Sequence, residues 1–254
     1  MRHLYLNLLS ISILFAGYTA HAQPSLTGQN LPNDGDSYTV YTNTNLSSGS
    51  NPGASGSNVT WDFSSMGSGS SNSLIYSSAS SPDYPNANIE FTTQSTSNYF
   101  DVLNNAYTYY GFSNASASSE FSDGQDQIRV PMAFNDNYTD PFSGTYVAFG
   151  QTLDRTGSLD VTYDGYGTLS TPQGTYSNII RVRIVRTSSD EISGQPISNS
   201  VDSIYFWYNE YTGHPIMTYS INYVDGSEQG RFANYIDDAD VVLSTSKESI
   251  EVPE

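Results

Sequence analysis

The chain has 254 residues, a formal net charge of −18, no cysteine, and 8 Lys and Arg against 26 Asp and Glu. So acidic a protein is repelled by phosphate backbones and anionic lipid, which excludes nucleic acid and polybasic membrane docking. Without cysteine there is neither a disulfide framework nor a thiolate metal site, and the scarcity of Glu, Lys and Arg excludes long charged helices.

The first segment reads as an address. Met1-Arg2-His3 is a short basic start, Leu4 to Ala16 is an apolar run, and Thr19-Ala20-His21-Ala22 supplies the small-x-small pattern of a signal-peptidase site. The apolar run is too short for a stable transmembrane helix, so residues 1–22 are expected to be a secretory signal peptide. No later stretch is long and apolar enough to suggest a transmembrane segment. Cleavage leaves 232 residues from Gln23, with 26 acids against 7 basic residues and a charge of −19. The mature chain then holds one histidine, His214, and one lysine, Lys247.

From there the chain reads as consecutive strands, because apolar and polar residues alternate with period two. Val59, Trp61 and Phe63 alternate with Thr60 and Asp62. Ile128, Val130, Met132 and Phe134 share one face, as do Leu159, Val161 and Tyr163, then Ile180, Val182 and Ile184, then Met217, Tyr219, Ile221 and Tyr223. Weaker strands are predicted near 37–43, 72–78, 87–93, 145–151 and 230–236. Asn104-Asn105 predicts a tight hairpin between two Tyr-rich runs, 98–103 and 106–112. Asp164-Gly165, Pro172-Gln173-Gly174, Gly213-His214-Pro215 and Asp225-Gly226 are further turn signals. The Ser/Gly/Asn tracts 44–57 and 64–73, and the polar stretch 113–126, read as surface loops. Together these predict one all-β domain over 23–240, an antiparallel β-sandwich with an open or half-closed antiparallel β-barrel as the alternative, followed by an acidic tail or linker over 241–254.

Three segments carry a resemblance. They are Gly53-Ala54-Ser55-Gly56-Ser57-Asn58-Val59-Thr60-Trp61-Asp62-Phe63; Asp164-Gly165-Tyr166-Gly167-Thr168-Leu169 with Pro172-Gln173-Gly174-Thr175-Tyr176 and Ile180-Arg181-Val182-Arg183; and Tyr205-Phe206-Trp207-Tyr208 with His214-Pro215-Ile216-Met217. The chain resembles the uncharacterised all-β N-terminal modules of exported Bacteroidota proteins associated with type IX secretion. That resemblance implies secretion or a cell-surface location. Such proteins usually continue into a C-terminal sorting domain, which is not present in this sequence, so a periplasmic location is the alternative. Gly165, Gly167 and Gly174 are expected where φ is positive or another backbone crosses closely.

The residues missing from the chain narrow its chemistry. A Ser-His-Asp site would need His214, which sits in a Gly-His-Pro turn, and no Gly-x-Ser-x-Gly elbow exists. Glycoside hydrolysis needs two facing acids; Asp160, Asp202, Glu120 and Glu210 are available, but the sequence does not show which of them face each other. No cofactor is expected, with calcium the possible exception, being the ion that best suits so many oxygen donors. Its best candidate set is Asn135, Asp136, Asn137 and Asp140; the acidic turns at 34–36, 123–126 and 237–240 are others. Tyr205 and Trp207 share one strand face, so they form either an exposed stacking platform for sugars or part of a covered core. Arg181, Arg183 and Arg186 either neutralise facing carboxylates across strands or form an anion site. Asp202-Ser203-Ile204 fits a short O-glycosylation pattern of these bacteria. The composite expectation is a secreted or cell-surface non-catalytic module for adhesion or glycan binding, with glycan or cell-envelope partners and with Tyr205, Trp207, Arg181 and Arg183 as ligand-binding residues. A carboxylate-dependent polysaccharide hydrolase and a passive structural envelope domain are the alternatives.

Overall fold

The computed structural model describes residues 23–241 except 45, 48, 94, 104 and 149. The expected signal peptide, Asn104 of the hairpin turn and 242–254 of the expected tail lie outside the described residues. Thirteen strands follow in order: β1 (Ser37–Asn43), β2 (Gly56–Asp62), β3 (Ser70–Ser78), β4 (Ile89–Thr93), β5 (Thr96–Asp101), β6 (Ala106–Ser113), β7 (Ala117–Arg129), β8 (Asn137–Ala148), β9 (Gln151–Ser170), β10 (Thr175–Ile192), β11 (Gln195–Tyr208), β12 (Met217–Val224) and β13 (Ser227–Ile236).

Twelve of them close into an antiparallel barrel. From β3 to β13 each strand pairs with the next, and β1 joins β13 to β3. Val40 stands opposite Ile236 on one side of β1, and Tyr38 opposite Leu74 on the other. The expected sandwich is therefore wrong. A sandwich needs strands that cross between two sheets, whereas here short hairpins keep chain neighbours paired and the β1–β13 ladder removes both free edges. Two hairpins fix this locally: Ser193-Gly194 and Asp225-Gly226 each place two consecutive residues at positive φ. That is the turn geometry whose twist matches the flanking strands.

The remaining strand, β2, lies outside the ring. It runs parallel to the last third of β9, on the edge that β8 leaves when it starts opposite Thr162. Gly167 permits this approach, since a Cβ there would lie 1.9 Å from the Val59 carbonyl oxygen. Asp164-Gly165, expected as a turn, instead forms a bulge within β9: Arg181 pairs with Gly165 and Val182 with Tyr163, leaving Asp164 as the extra residue.

Two expected loops are partly strand. Residues 117–126 of the expected 113–126 loop belong to β7, and 70–73 of the expected 64–73 loop open β3, whose remainder matches the strand expected near 72–78. Over Ala117–Phe121 β7 is held by ladders on both sides, as β3 is by β1 and β4, so these stretches need fewer apolar side chains than a half-buried edge strand.

The alternation sorts side chains onto two surfaces. Inward residues such as Phe121, Phe142, Leu159, Val161, Val182 and Ile184 form one core inside the ring. Outward residues Trp207, Met217, Tyr219 and Tyr235 belong to a second core. It is roofed by the 44–69 excursion, which contributes Trp61, Phe63, Leu46 and Met66.

Candidate functional site in the barrel lumen

Short strands and long ones end differently, and this shapes the lumen. The N-terminal segment plugs one end. Leu26 exchanges backbone hydrogen bonds with Met132 (3.0 and 3.1 Å), the Tyr163 hydroxyl donates to the Pro24 carbonyl (2.7 Å), and Leu26 and Leu31 join the inner core. Asn30 donates its side-chain amide to the Asn209 carbonyl (2.6 Å), tying the plug to the β11–β12 connection. Within that connection the Asn209 side chain accepts from Thr212 N–H and hydroxyl, both at 2.8 Å. The opposite end carries the tight hairpins, and among the described residues no segment plugs it in this way.

Between the plug and the open end lies a cavity of about 460 Å³. Its walls come from most strands of the ring: Val40 and Leu74, Phe91 and Phe100, Phe206 and Phe232 are its principal apolar groups. A barrel of eight strands is filled by its own side chains, and wider barrels enclose space; twelve strands leave this one partly empty. Phe232 shows the consequence, being 40% exposed although it points inward from β13.

His214 and Pro215 line the cavity from the plugged end. The imidazole stacks on Tyr38 at 5.2 Å, and its Nδ1 lies 2.8 Å from the Tyr76 hydroxyl. Burial lowers the His214 pKa to about 4, so the ring is neutral. Burial likewise pushes the Tyr76, Tyr107 and Tyr208 phenols well up, so all three stay protonated. The group offers hydrogen bonds from neutral donors and acceptors. Among the described residues no carboxylate hydrogen-bonds the imidazole, whose Nδ1 partner is the Tyr76 hydroxyl.

A second space of about 390 Å³ adjoins this cavity through Ile204, Ser220 and Phe232. Arg186, Asp202 and Asn222 form its polar wall. Arg186 donates from Nε (2.8 Å) and Nη2 to Asp202 Oδ2, and Asn222 Nδ2 donates to Asp202 Oδ1. Nearer the mouth, Arg155 clasps Asp190 through two bonds of 2.6 and 2.7 Å.

The four expected ligand-binding residues lie on the other surface. Trp207 is fully buried beneath Trp61 and Phe63, and Arg181 is 1% exposed. The Arg181 guanidinium donates to both Asp164 oxygens (2.7 and 2.9 Å) and to the Pro52 and Gly53 carbonyls (2.7 and 3.1 Å). It also lies 5.1–5.7 Å from the ring centroids of Trp61, Tyr205 and Trp207. Arg183 is exposed and stands opposite the half-buried Tyr205.

The calcium candidates are divided. Asn135, at positive φ, and Asp136 make a turn in which the Asp136 carboxylate accepts the Ala133 N–H (2.8 Å), and Asn137 donates to the Asn135 carbonyl (3.2 Å). Asp140 lies on the opposite strand face from Asn137, and its oxygens accept Arg129 Nη2 (2.7 Å) and the Asp126 N–H (2.9 Å). The Asp123 carboxylate similarly accepts the Ser143 N–H (3.1 Å). These acids replace ladder bonds where β7 and β8 part company beyond Phe121 and Gly144. Among the described residues no three His, Cys, Asp or Glu side chains converge as a metal site. Of the acids considered for hydrolysis, Asp202 faces the lumen, whereas Asp160 faces outward and accepts from Thr139 at 2.7 Å.

Sequence reasoning missed the lumen wall. Arg186 with Asp202 was its one legible trace, as opposite charges on strands whose neighbours were correctly phased. No family model matches the chain, and no curated protein matches it. Among solved structures it is similar to the hypothetical lipoprotein YmcC from Escherichia coli K12, at 13% identity and a TM-score of 0.38, covering 82% of this chain and 85% of that one. A likeness this slight leaves function to be read from the site.

Proposed function

We propose that the protein is an exported, non-catalytic binding module of the cell envelope whose ligand occupies the barrel lumen. The observation that carries this is the partly empty, apolar cavity with Phe232 exposed inside a closed ring. Concave, mostly apolar spaces of this size with a few convergent polar groups are the usual form of small-molecule sites. The basic, apolar and small-x-small segments of residues 1–22 support export. Outward residues Ser158, Asp160, Thr162, Thr187 and Ser189 favour a wall that faces water over the apolar band of a membrane-spanning barrel. Among the described residues no helix is long and apolar enough to cross a membrane.

The test is titration with the neutral fluorophore N-phenyl-1-naphthylamine. Saturable binding at one probe per chain is expected. Phe232→Arg should abolish it, and Ile75→Arg, at a 53% exposed outward position, should leave it intact. Non-saturable binding, or equal loss in both variants, would refute the lumen as the site.

Glycan binding keeps a second location. A groove of about 530 Å³ in the 43–67 excursion brings the half-buried Phe63 and Met66 together with Asn51, Thr60 and Asp62. A glycan-array signal lost on Phe63→Ala but unaffected by Phe232→Arg would assign that groove.

A further inference from the structure

The lumen's charge pattern and ring stacking narrow what it can hold. We infer that the lumen binds a single-chain amphiphile with an electroneutral headgroup, its chain in the apolar cavity and its headgroup at the Arg186–Asp202–Asn222 wall. This rests on the lumen reading above and specifies its ligand class.

No Asp, Glu, Lys or Arg lines the 460 Å³ cavity, and its one imidazole is neutral. Several of the cavity's aromatic rings are packed face or edge on one another, Phe232 being the one left exposed. Phe100 is stacked between Phe91 (5.3 Å, 17°) and Tyr107 (4.3 Å, 6°), and Phe91 also meets Tyr76 (5.4 Å, 71°). A pyranose needs an open ring face, whereas a hydrocarbon packs against ring edges and aliphatic groups such as those of Val40, Leu74 and Ile204. At roughly 30 Å³ per small group, the cavity accommodates about fifteen water- or methylene-sized groups, the size of one acyl chain.

The adjoining wall supplies polarity without net charge. Arg186 and Asp202 cancel, as do Arg155 and Asp190 in the next layer. Both Arg186 nitrogens that bond do so to a single oxygen of Asp202, so Nη1 keeps its hydrogens for a ligand acceptor. One further side-chain atom on the cavity wall, Asn234 Oδ1, has no hydrogen-bond partner among the described residues. Acceptors and donors are thus on offer, while the chain's net charge of −18 opposes an anion.

Displacement of bound N-phenyl-1-naphthylamine tests this with monolauroylglycerol, lauroyl-lysophosphatidylcholine and laurate at pH 8, each below its micellar concentration. The two electroneutral amphiphiles should displace the probe at concentrations at least tenfold lower than laurate. Asp202→Asn, which uncovers the Arg186 charge, should improve laurate at least tenfold. Asn222→Asp, which adds an anion to the same wall, should weaken laurate further and serves if Asp202→Asn does not fold. Laurate matching the electroneutral pair, or a preference that neither variant moves, would overturn the headgroup assignment while the lumen reading stands. Failure of the probe itself to bind would instead overturn the lumen reading.

Discussion

Replacing Arg181 by Leu should unfold the outer layer of the barrel and cost about 3–5 kcal/mol, the usual penalty for removing one member of a buried ion pair. The structure sets the scale. Arg181 is 1% exposed and makes two charged bonds to Asp164 and two to the Pro52 and Gly53 carbonyls. Leu restores apolar packing against Trp61 and Trp207 but leaves the Asp164 carboxylate, itself largely covered, without a counterion. It also leaves two carbonyls of the roof unpaired. In a domain of this size each kcal/mol corresponds to about 2–4 °C, so the melting temperature should fall by about 6–20 °C. Chemical denaturation of the single variants and of Arg181→Leu/Asp164→Asn gives the coupling directly. Neutralising Asp164 in the Arg181→Leu background should recover about 0.5–3 kcal/mol, since the two groups act as a pair. A single-variant cost under about 1 kcal/mol, or fully additive effects, would refute the pairing as a structural element. If Arg181 instead served a ligand, its loss would weaken binding and spare the melting temperature.

Two further outcomes follow from the lumen floor and the outer strand. His214 has a pKa of about 4 in the fold against 6.5 ordinarily, so the unfolded chain takes up its proton first as pH falls. The contribution is intact above pH 6.5 and is lost on acidification toward pH 4; between pH 7 and 5 it amounts to about 2 kcal/mol. His214→Gln should flatten the stability-versus-pH curve by that amount, and an unchanged slope would show that the imidazole is not buried neutral. Gly167→Val should release β2 from β9, because its Cβ would collide with the Val59 backbone. Proteolysis within 44–69 should accelerate and tryptophan emission should shift red, with the ring's far-UV circular dichroism largely retained; unchanged proteolysis would remove β2 from its assigned place.

How far the sequence reveals this structure depends on whether a feature is local. Period-two alternation is local, and it locates β9, β10, β12 and β13 and the inward set Val161, Val182 and Ile184. The Asp225-Gly226 hairpin is legible for the same reason. Gly167 shows as a place of close backbone approach, although the approaching strand, β2, cannot be identified from residues a hundred positions away. Where a strand is held by its ladders and contributes few apolar groups, as β7 is, alternation fades and the segment reads as loop. Asp164-Gly165 misleads because a bulge and a turn use the same residue types. Ring closure is a property of all twelve strands at once. An inward apolar face looks identical in a sandwich and a barrel, and only the β1–β13 pairing distinguishes them.

The same limit hides the site and exposes a decoy. Trp207, Tyr205 and Arg181 draw notice because aromatic and basic residues are conspicuous in an acidic, Ser-rich chain, yet their clustering is what the roof of residues 44–69 requires to stay down. The cavity is built from ordinary groups: Val40, Leu74, Phe91, Ile204 and Phe232 come from five different strands and share no motif. Their relation is the circumference of the ring. Each apolar residue serves equally well as core, and the space among them exists because the ring has more circumference than its inward side chains can fill. Charge works in the same direction: the two Arg–Asp pairs near the mouth leave the interior locally balanced. A chain selected only to pack would place apolar residues at those four positions, since a buried pair is rarely more stabilising than the hydrophobic groups that could replace it. Retained charge at the entrance to an uncharged, unfilled lumen is better explained by a ligand that needs polarity at one end.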